Sequence, residues 1–371
     1  MRALFTFAGG SGHLEPLVPI ARALTEAGHT VAFSGRPAVA GRVRELGFEM
    51  FVTGPPGPEA PAIRTPLVEV DLEREAQVLR DGFAGRIARE RVTGVRKVCD
   101  DWRPDLLVCG ELDFGAMVAA ERAGLPFATV LITATEMFVR PQVVAEPLDA
   151  LRAEHGLPPE PPGEPLVVSP FPHRLRPLAP HALAFRTAPV GRPASDAKTV
   201  YLTLGTIFNL ESGDLFERVL EGLRALPVDV VATVGRNLDP DELGPQPANI
   251  RIERYLPQSE VLPRCRAVVS HGGSGSLLAA LAHGLPSVLL PMGADQPQNA
   301  ARCEQLGVAR ALDAVRAAPE DVRDAVTDVL TDPGYRLAAE RIADEIAALP
   351  GPEHALSLIE WLATSGCTSA G

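Results

Sequence analysis

The chain has 371 residues, length enough for two hydrophobic cores, and is 46% hydrophobic and 22% charged without long polar or charged tracts. Its net charge of −12 excludes a broad nucleic-acid or anionic-membrane surface, so an anionic ligand needs a local site. The five cysteines (Cys99, Cys109, Cys265, Cys303 and Cys367) are scattered with no C-x-x-C pair, which excludes a zinc site or a disulfide framework and reads as reduced thiols.

In chain order, short apolar runs alternate with helical periodicity, the pattern of α/β folding around parallel sheets. Residues 3–8 predict a strand; the run is too short for a signal-peptide core and Gly9-Gly10 stops it. Positions 16–27 predict a helix closed by Gly28, 30–34 a second strand, and 38–46 a helix closed by Gly47. A proline-rich irregular stretch, 54–70, precedes helical periodicity over 72–101. Residues 106–109 predict a buried strand, 114–123 a helix closed by Gly124, and 126–132 a strand. The segment 141–193 is dense in proline and reads as loop and linker, because proline fixes φ and removes a donor. A fresh α/β pattern begins at Lys198, with strands over 199–204, 228–234, 250–252, 267–270 and 287–290 and helices over 214–226 and 277–283. An amphipathic helix over 353–362, containing Trp361, ends the pattern. No run approaches the roughly 20 apolar residues that span a membrane, and a cytoplasmic location is expected.

Two strand-end loops stand out. Ser270-His271-Gly272-Gly273-Ser274-Gly275-Ser276 follows a buried strand and opens a helix. Glycines let backbone N–H groups approach an anion, and the helix N-terminus adds partial positive charge, so this loop predicts a phosphate or diphosphate seat. Gly9-Gly10-Ser11-Gly12-His13-Leu14-Glu15-Pro16 lies at the carboxyl end of the first strand, where open α/β sheets place ligands. Glu15 stands where G-x-G-x-x-G would need glycine, which disfavours a dinucleotide oxidoreductase. His13, near a helix N-terminus, is expected neutral, the form a general base requires; a loop histidine that only caps or hydrogen-bonds is the plainer alternative.

Weaker signals accompany these loops. Asp295 and Gln296 sit side by side after a strand and could engage vicinal hydroxyls, or Asp295 could cap the helix that follows. Tyr255-Leu256-Pro257-Gln258 could seat a base edge or form an ordinary turn, and Thr203-Leu204-Gly205-Thr206 is another strand-end loop able to meet a phosphate. Position 276 is serine, so G-x-S-x-G fails around Ser274, and neither a P-loop nor H-E-x-x-H occurs. His173, His181, His283 and His354 are isolated and read as surface or packing residues.

Taken together, Ala8-Gly9-Gly10-Ser11-Gly12-His13-Leu14-Glu15-Pro16, Tyr201-Leu202-Thr203-Leu204-Gly205-Thr206, Leu256-Pro257-Gln258, the 271–276 loop and Asp295-Gln296 resemble glycosyltransferase family 1 in order and approximate spacing. The resemblance is to its actinobacterial natural-product branch and covers essentially the whole chain. It implies an α/β GT-B fold: two Rossmann-like parallel-sheet domains facing across a cleft. Residues 1–192 would bind the acceptor and 193–352 the nucleotide sugar, with the helix 353–371 packing back on the first domain. It further implies an inverting, metal-independent transfer with His13 as base. His271, Gly273, Gly275 and Ser276 would hold the diphosphate, Leu256 and Gln258 would seat the pyrimidine, Asp295 and Gln296 would contact the sugar, and Gly12, Gly205, Thr206 and Ser274 would complete the donor site.

Two positions depart from the family pattern. Gly110 stands where many relatives carry an aspartate orienting the base, leaving Glu111, Asp113 or an unassisted histidine. Ala279 stands where relatives with ribonucleotide donors often carry a ribose-gripping glutamate, which favours dTDP-sugars over UDP-sugars. Ile63, Leu67, Val70, Phe83, Met137 and Phe138 suggest a hydrophobic aglycone site, or else core packing. No cofactor is expected, the nucleotide sugar being co-substrate. The partners implied are that donor, a small-molecule acceptor and, at most, a second copy in a homodimer, with neither nucleic acid nor stable membrane insertion. The rival readings are a non-catalytic nucleotide-sugar-binding homologue or auxiliary partner, and a GT-B sugar-nucleotide epimerase or hydrolase.

Overall fold

Buried parallel strands must be apolar on both faces, and the runs read from sequence assemble accordingly into two all-parallel sheets. The structure, a computed structural model, describes residues 1–56, 63–159, 166–180, 182–187, 190–194 and 197–365. The first sheet contains β1 (Arg2–Thr6), β2 (Thr30–Gly35), β3 (Glu49–Val52), β4 (Leu106–Gly110), β5 (Phe127–Val130), β6 (Leu166–Ser169) and β7 (Leu183–Ala184). Their spatial order is β3-β2-β1-β4-β5-β6-β7. The second contains β8 (Thr199–Thr203), β9 (Asp229–Thr233), β10 (Ile250–Glu253), β11 (Cys265–Ser270), β12 (Ser287–Leu289) and β13 (Ala309–Ala311), ordered β10-β9-β8-β11-β12-β13. In each sheet the order reverses beside the first strand, β1 against β4 and β8 against β11. Such switch points open a crevice at the carboxyl ends of the strands, where both glycine loops emerge.

The proline-dense segment departs from expectation. It contains the helix Pro141–Glu154 and the strands β6 and β7. Pro141 stands in the first helical turn, where its missing N–H would have had no intrahelical partner, and Pro147 is accommodated inside. The helical stretch expected over 72–101 is three pieces: Leu72–Gln77, the π-helix Val78–Ile87, and Ala88–Trp102. The short strands β3 and β13 and the helices Pro319–Thr331 and Pro333–Ala348 complete elements that the sequence reading left out.

Contacts of several kinds join the halves. Leu131, Ala134, Phe171 and Leu175 from the first share one hydrophobic cluster with Leu277, Leu281, Cys303 and Ile342 from the second. The helix Pro352–Ser365 lays Ala355, Ile359 and Ala363 on the first sheet's core beside Leu17 and Ile20, while its Trp361 stays exposed. A strap from the first half reaches the second: Thr65 N–H donates to Leu210 O (2.7 Å), Gly213 N–H donates to Thr65 O (3.0 Å), and Arg64 Nη1 donates to Glu217 Oε2 (2.9 Å). Among the described residues no helix is long and apolar enough to cross a membrane. Cys99, Cys109, Cys265 and Cys303 are buried and unpaired; Cys367 and His181 lie outside the described residues, as does the end of the terminal helix predicted over 366–371.

Candidate active site

Gly10 is the extended residue from which the helix Ser11–Leu14 starts, and that helix runs through Glu15–Leu17 into Val18–Glu26. His13 therefore stands in the first turn, its N–H bonded to Gly10 O at 3.0 Å. Its ring lies against the backbone of Gly9, where a Cβ would sit 2.3–2.7 Å from ring atoms, so glycine is required there for close approach. The ring also stacks on Phe83, centroids 5.6 Å apart and planes 11° from parallel. Enclosure lowers the His13 pKa to about 4, a desolvation effect that Asp113 and Glu111 oppose and Arg36 reinforces. The imidazole is neutral at physiological pH.

Neither alternative acid is free to orient it. Glu111 accepts from the backbone N–H groups of Ile132 (2.9 Å) and Thr133 (3.1 Å), from Thr133 Oγ1 (3.0 Å), and from Arg176 Nη2 (2.6 Å). Asp113 accepts from Arg91 Nε (3.0 Å) and Nη2 (2.7 Å), and both partners are buried. These carboxylates balance buried arginines, whose charge would otherwise be uncompensated, and so serve the fold instead of the histidine. At Gly110 a Cβ would meet only ordinary contacts, the shortest 3.5 Å from Thr6 O.

The second loop begins at the end of β11. Gly272 has φ +81°, and Gly273 precedes the helix Ser274–Ala282, whose first turn has no side-chain cap. The uncapped amides are donors for an anion. His271 is buried, with its ring clasped between Gly205 (φ +79°) and Gly273, where Cβ atoms would lie 2.6 and 2.4 Å from Nε2. Its Nδ1 has no hydrogen-bond partner among the described residues, and desolvation lowers its pKa to about 4.

A cleft of about 720 Å³ runs between the loops, lined by Ser11 and Gly12 from one side and by Gly205, Thr206, Gly275 and Ser276 from the other. Leu256, Gln258 and Ala279 line it further along, and Gln258 Nε2 donates to Ser276 Oγ at 3.1 Å. Sequence reasoning missed Arg236, which stacks on Tyr255 at 4.4 Å, and the hydroxyl pair Tyr201–Thr233 at 2.7 Å, both on this wall. Isolated polar residues in strands gave no signal of a shared cleft.

Several predicted ligand contacts are committed within the protein. Ser274 Oγ donates to Asp295 Oδ2 (2.5 Å) and accepts from Ala134 N–H (2.6 Å), so it bridges the two halves instead of facing an anion. Asp295 is further held by Asn299 Nδ2 (2.8 Å), a residue one helical turn on that the sequence reading passed over. Asp295 precedes the helix Gln296–Gln305, yet its side chain makes no cap bond; burial raises its pKa. Gln296 is buried and its Oε1 accepts from Met292 N–H (2.8 Å).

The apolar candidates divide. Ile63 and Met137 are exposed, and Phe138 packs on the first sheet's core. Phe83 serves His13. Leu67 is a correction: carried on the strap, it packs on the second sheet's core and against Gly213, away from any acceptor surface of the first.

A family model described as erythromycin biosynthesis protein CIII-like, C-terminal domain, matches residues 217–361. The chain is similar to L-demethylnoviosyl transferase of Streptomyces niveus, 32% identical over 95% of this chain and 96% of that one. It is similar to TDP-daunosamine transferase DnrS of Streptomyces peucetius, 28% identical over 100% and 99%. The solved structure of spinosyn rhamnosyltransferase SpnG complexed with thymidine diphosphate shares the fold, with a TM-score of 0.83 at 24% identity over 97% of this chain and 100% of that one. Near-full-length similarity to a transferase, on two parallel sheets meeting at a cleft, settles the membership: the chain belongs to the GT-B-fold glycosyltransferases that include L-demethylnoviosyl transferase.

Proposed function

We propose that the enzyme is an inverting, metal-independent transferase that moves a (deoxy)sugar from a dTDP-sugar to a small hydrophobic natural product. One observation carries the reading: the loop bearing a neutral, enclosed His13 and the uncapped helix start beside His271 flank one cleft. A neutral ring nitrogen of His13 takes the acceptor hydroxyl proton as the oxygen attacks the anomeric carbon. The bond from that carbon to the diphosphate oxygen breaks with inversion, and the diphosphate leaves with the electron pair. The amides of the Ser274–Ala282 helix start and His271 meet the charge of the leaving diphosphate, a task that other transferases give to a metal. A positioned base contributes roughly 10²–10⁴-fold, and stabilising the leaving group a comparable or larger factor.

The dTDP preference is supported by Ala279 on the cleft wall, which offers no carboxylate to a ribose 2′-hydroxyl, and by the TDP-sugar in the name of one relative. The exposed apolar side chains Ile63 and Met137 support a hydrophobic acceptor. The deciding experiment is His13→Ala: transfer is abolished while dTDP binding persists, and retained full turnover refutes the base assignment. Turnover with dTDP-glucose against UDP-glucose tests the nucleotide, and a strong UDP preference refutes that part.

A further inference from the structure

His13 carries the proton-transfer role proposed above, yet among the described residues no side chain hydrogen-bonds its ring. The position at the end of β4 is Gly110, and Glu111 and Asp113 are both held by buried arginines. A catalytic imidazole needs a fixed plane, because a base displaced by about 1 Å can lose about 100-fold in rate. The structure supplies that plane in another way. Gly9 allows close backbone contact at the Cδ2, Nε2 and Cε1 atoms of the ring, and Phe83 stacks nearly parallel to its plane. Phe83 belongs to the π-helix Val78–Ile87, a rare conformation that shifts the register of side chains against the adjoining α-helical turns. Leu79 and Ala84 of the same segment are buried in the first sheet's core and Ile87 is buried beside them in sequence, which anchors the platform.

We propose that Phe83 is a positioning residue for the transfer reaction, holding the His13 ring by stacking where this chain has no carboxylate to orient it. The inference rests on His13 acting as base, and its experiment separates the two. Phe83→Leu and Phe83→Met remove the aromatic face at similar volume, whereas Phe83→Tyr keeps it. In the two aliphatic variants kcat for transfer falls about 10- to 100-fold, dTDP affinity is unchanged, and Phe83→Tyr stays within a few-fold of wild type.

Two further readouts distinguish positioning from an acceptor contact. Hydrolysis of the dTDP-sugar without acceptor falls in parallel, since water then replaces the acceptor hydroxyl at the same base. The acid limb of the kcat profile moves upward, because water reaches a ring that Phe83 had shielded while Asp113, Glu111 and Arg36 keep their places around it. Aliphatic variants that alter only acceptor KM, leaving hydrolysis and the acid limb in place, overturn the proposal. Equal loss in Phe83→Tyr and Phe83→Leu also overturns it. If His13→Ala itself retains turnover, the base assignment fails first and the positioning role falls with it.

Discussion

Asp113 lies one turn of chain from the vacant Gly110 position, and its variant separates structure from chemistry. Its carboxylate is fully buried and takes two hydrogen bonds from the equally buried Arg91 guanidinium. Asp113→Asn leaves that guanidinium charged and uncompensated, a loss of about 3–5 kcal/mol. Arg91 also donates to Ser34 O at 3.1 Å and reaches Thr53 Oγ1, so strain passes to the ends of β2 and β3. At roughly 2–4 °C per kcal/mol for a domain of this size, Tm falls by about 10 °C. Scanning calorimetry with and without dTDP measures the shift, and turnover well below the transition measures chemistry. The kcat of the folded variant stays within a few-fold of wild type, because Asp113 makes no hydrogen bond to His13. Pairing Asp113→Asn with Arg91→Met removes the orphaned charge and recovers much of the Tm. A fall of 100-fold or more in kcat with unchanged Tm would refute the assignment of Asp113 to the fold.

Further expectations follow from the same geometry. Gly205→Ala places a Cβ 2.6 Å from His271 Nε2 at a φ of +79°, so dTDP affinity measured by calorimetry drops about 10-fold or more. Arg64→Ala weakens the strap; with Glu217 partly exposed its effect is about 1 kcal/mol, read as roughly fivefold faster hydrogen exchange at the Gly213 amide. The depressed pKa of His271 means that the unfolded chain takes up a proton below pH about 6.5 while the folded one does so only near 4. Stability is therefore lost as pH falls through that window, by at most roughly 3 kcal/mol for this residue, and the urea midpoint should follow. Gly110→Asp, which meets only ordinary contacts, should raise kcat and move its acid limb upward by adding a carboxylate beside the base.

The βαβ framework was legible because parallel strands buried on both faces are continuous apolar runs, as in β1, β4 and β11, and glycines close the helices between them. The two glycine-rich loops were legible for the same reason, since each is fixed by the strand before it. What escaped depends on tertiary partners. Arg91 on a helix looks like a solvated charge until Asp113 is found beside it, and Ser274 looks like an anion ligand until Ala134 arrives from the other half. Leu67 falls in a proline-rich stretch with no period, so the surface it would cover could not be inferred. Proline density misled over 141–193, because a proline in the first turn of a helix or outside a ladder costs little.

The terminal helix Pro352–Ser365 has a topological consequence. With its last described segment resting where the chain began, the second sheet is an insert spliced between two pieces of the first. Tension applied between the termini would load the first sheet and the terminal helix while the second half hung slack between them. An exchange of second halves with a relative would need two junctions, one before β8 and one before Pro352. A single-junction chimaera would carry a foreign helix onto Leu17 and Ile20, joining the identity of the second half to the packing of the first half's core.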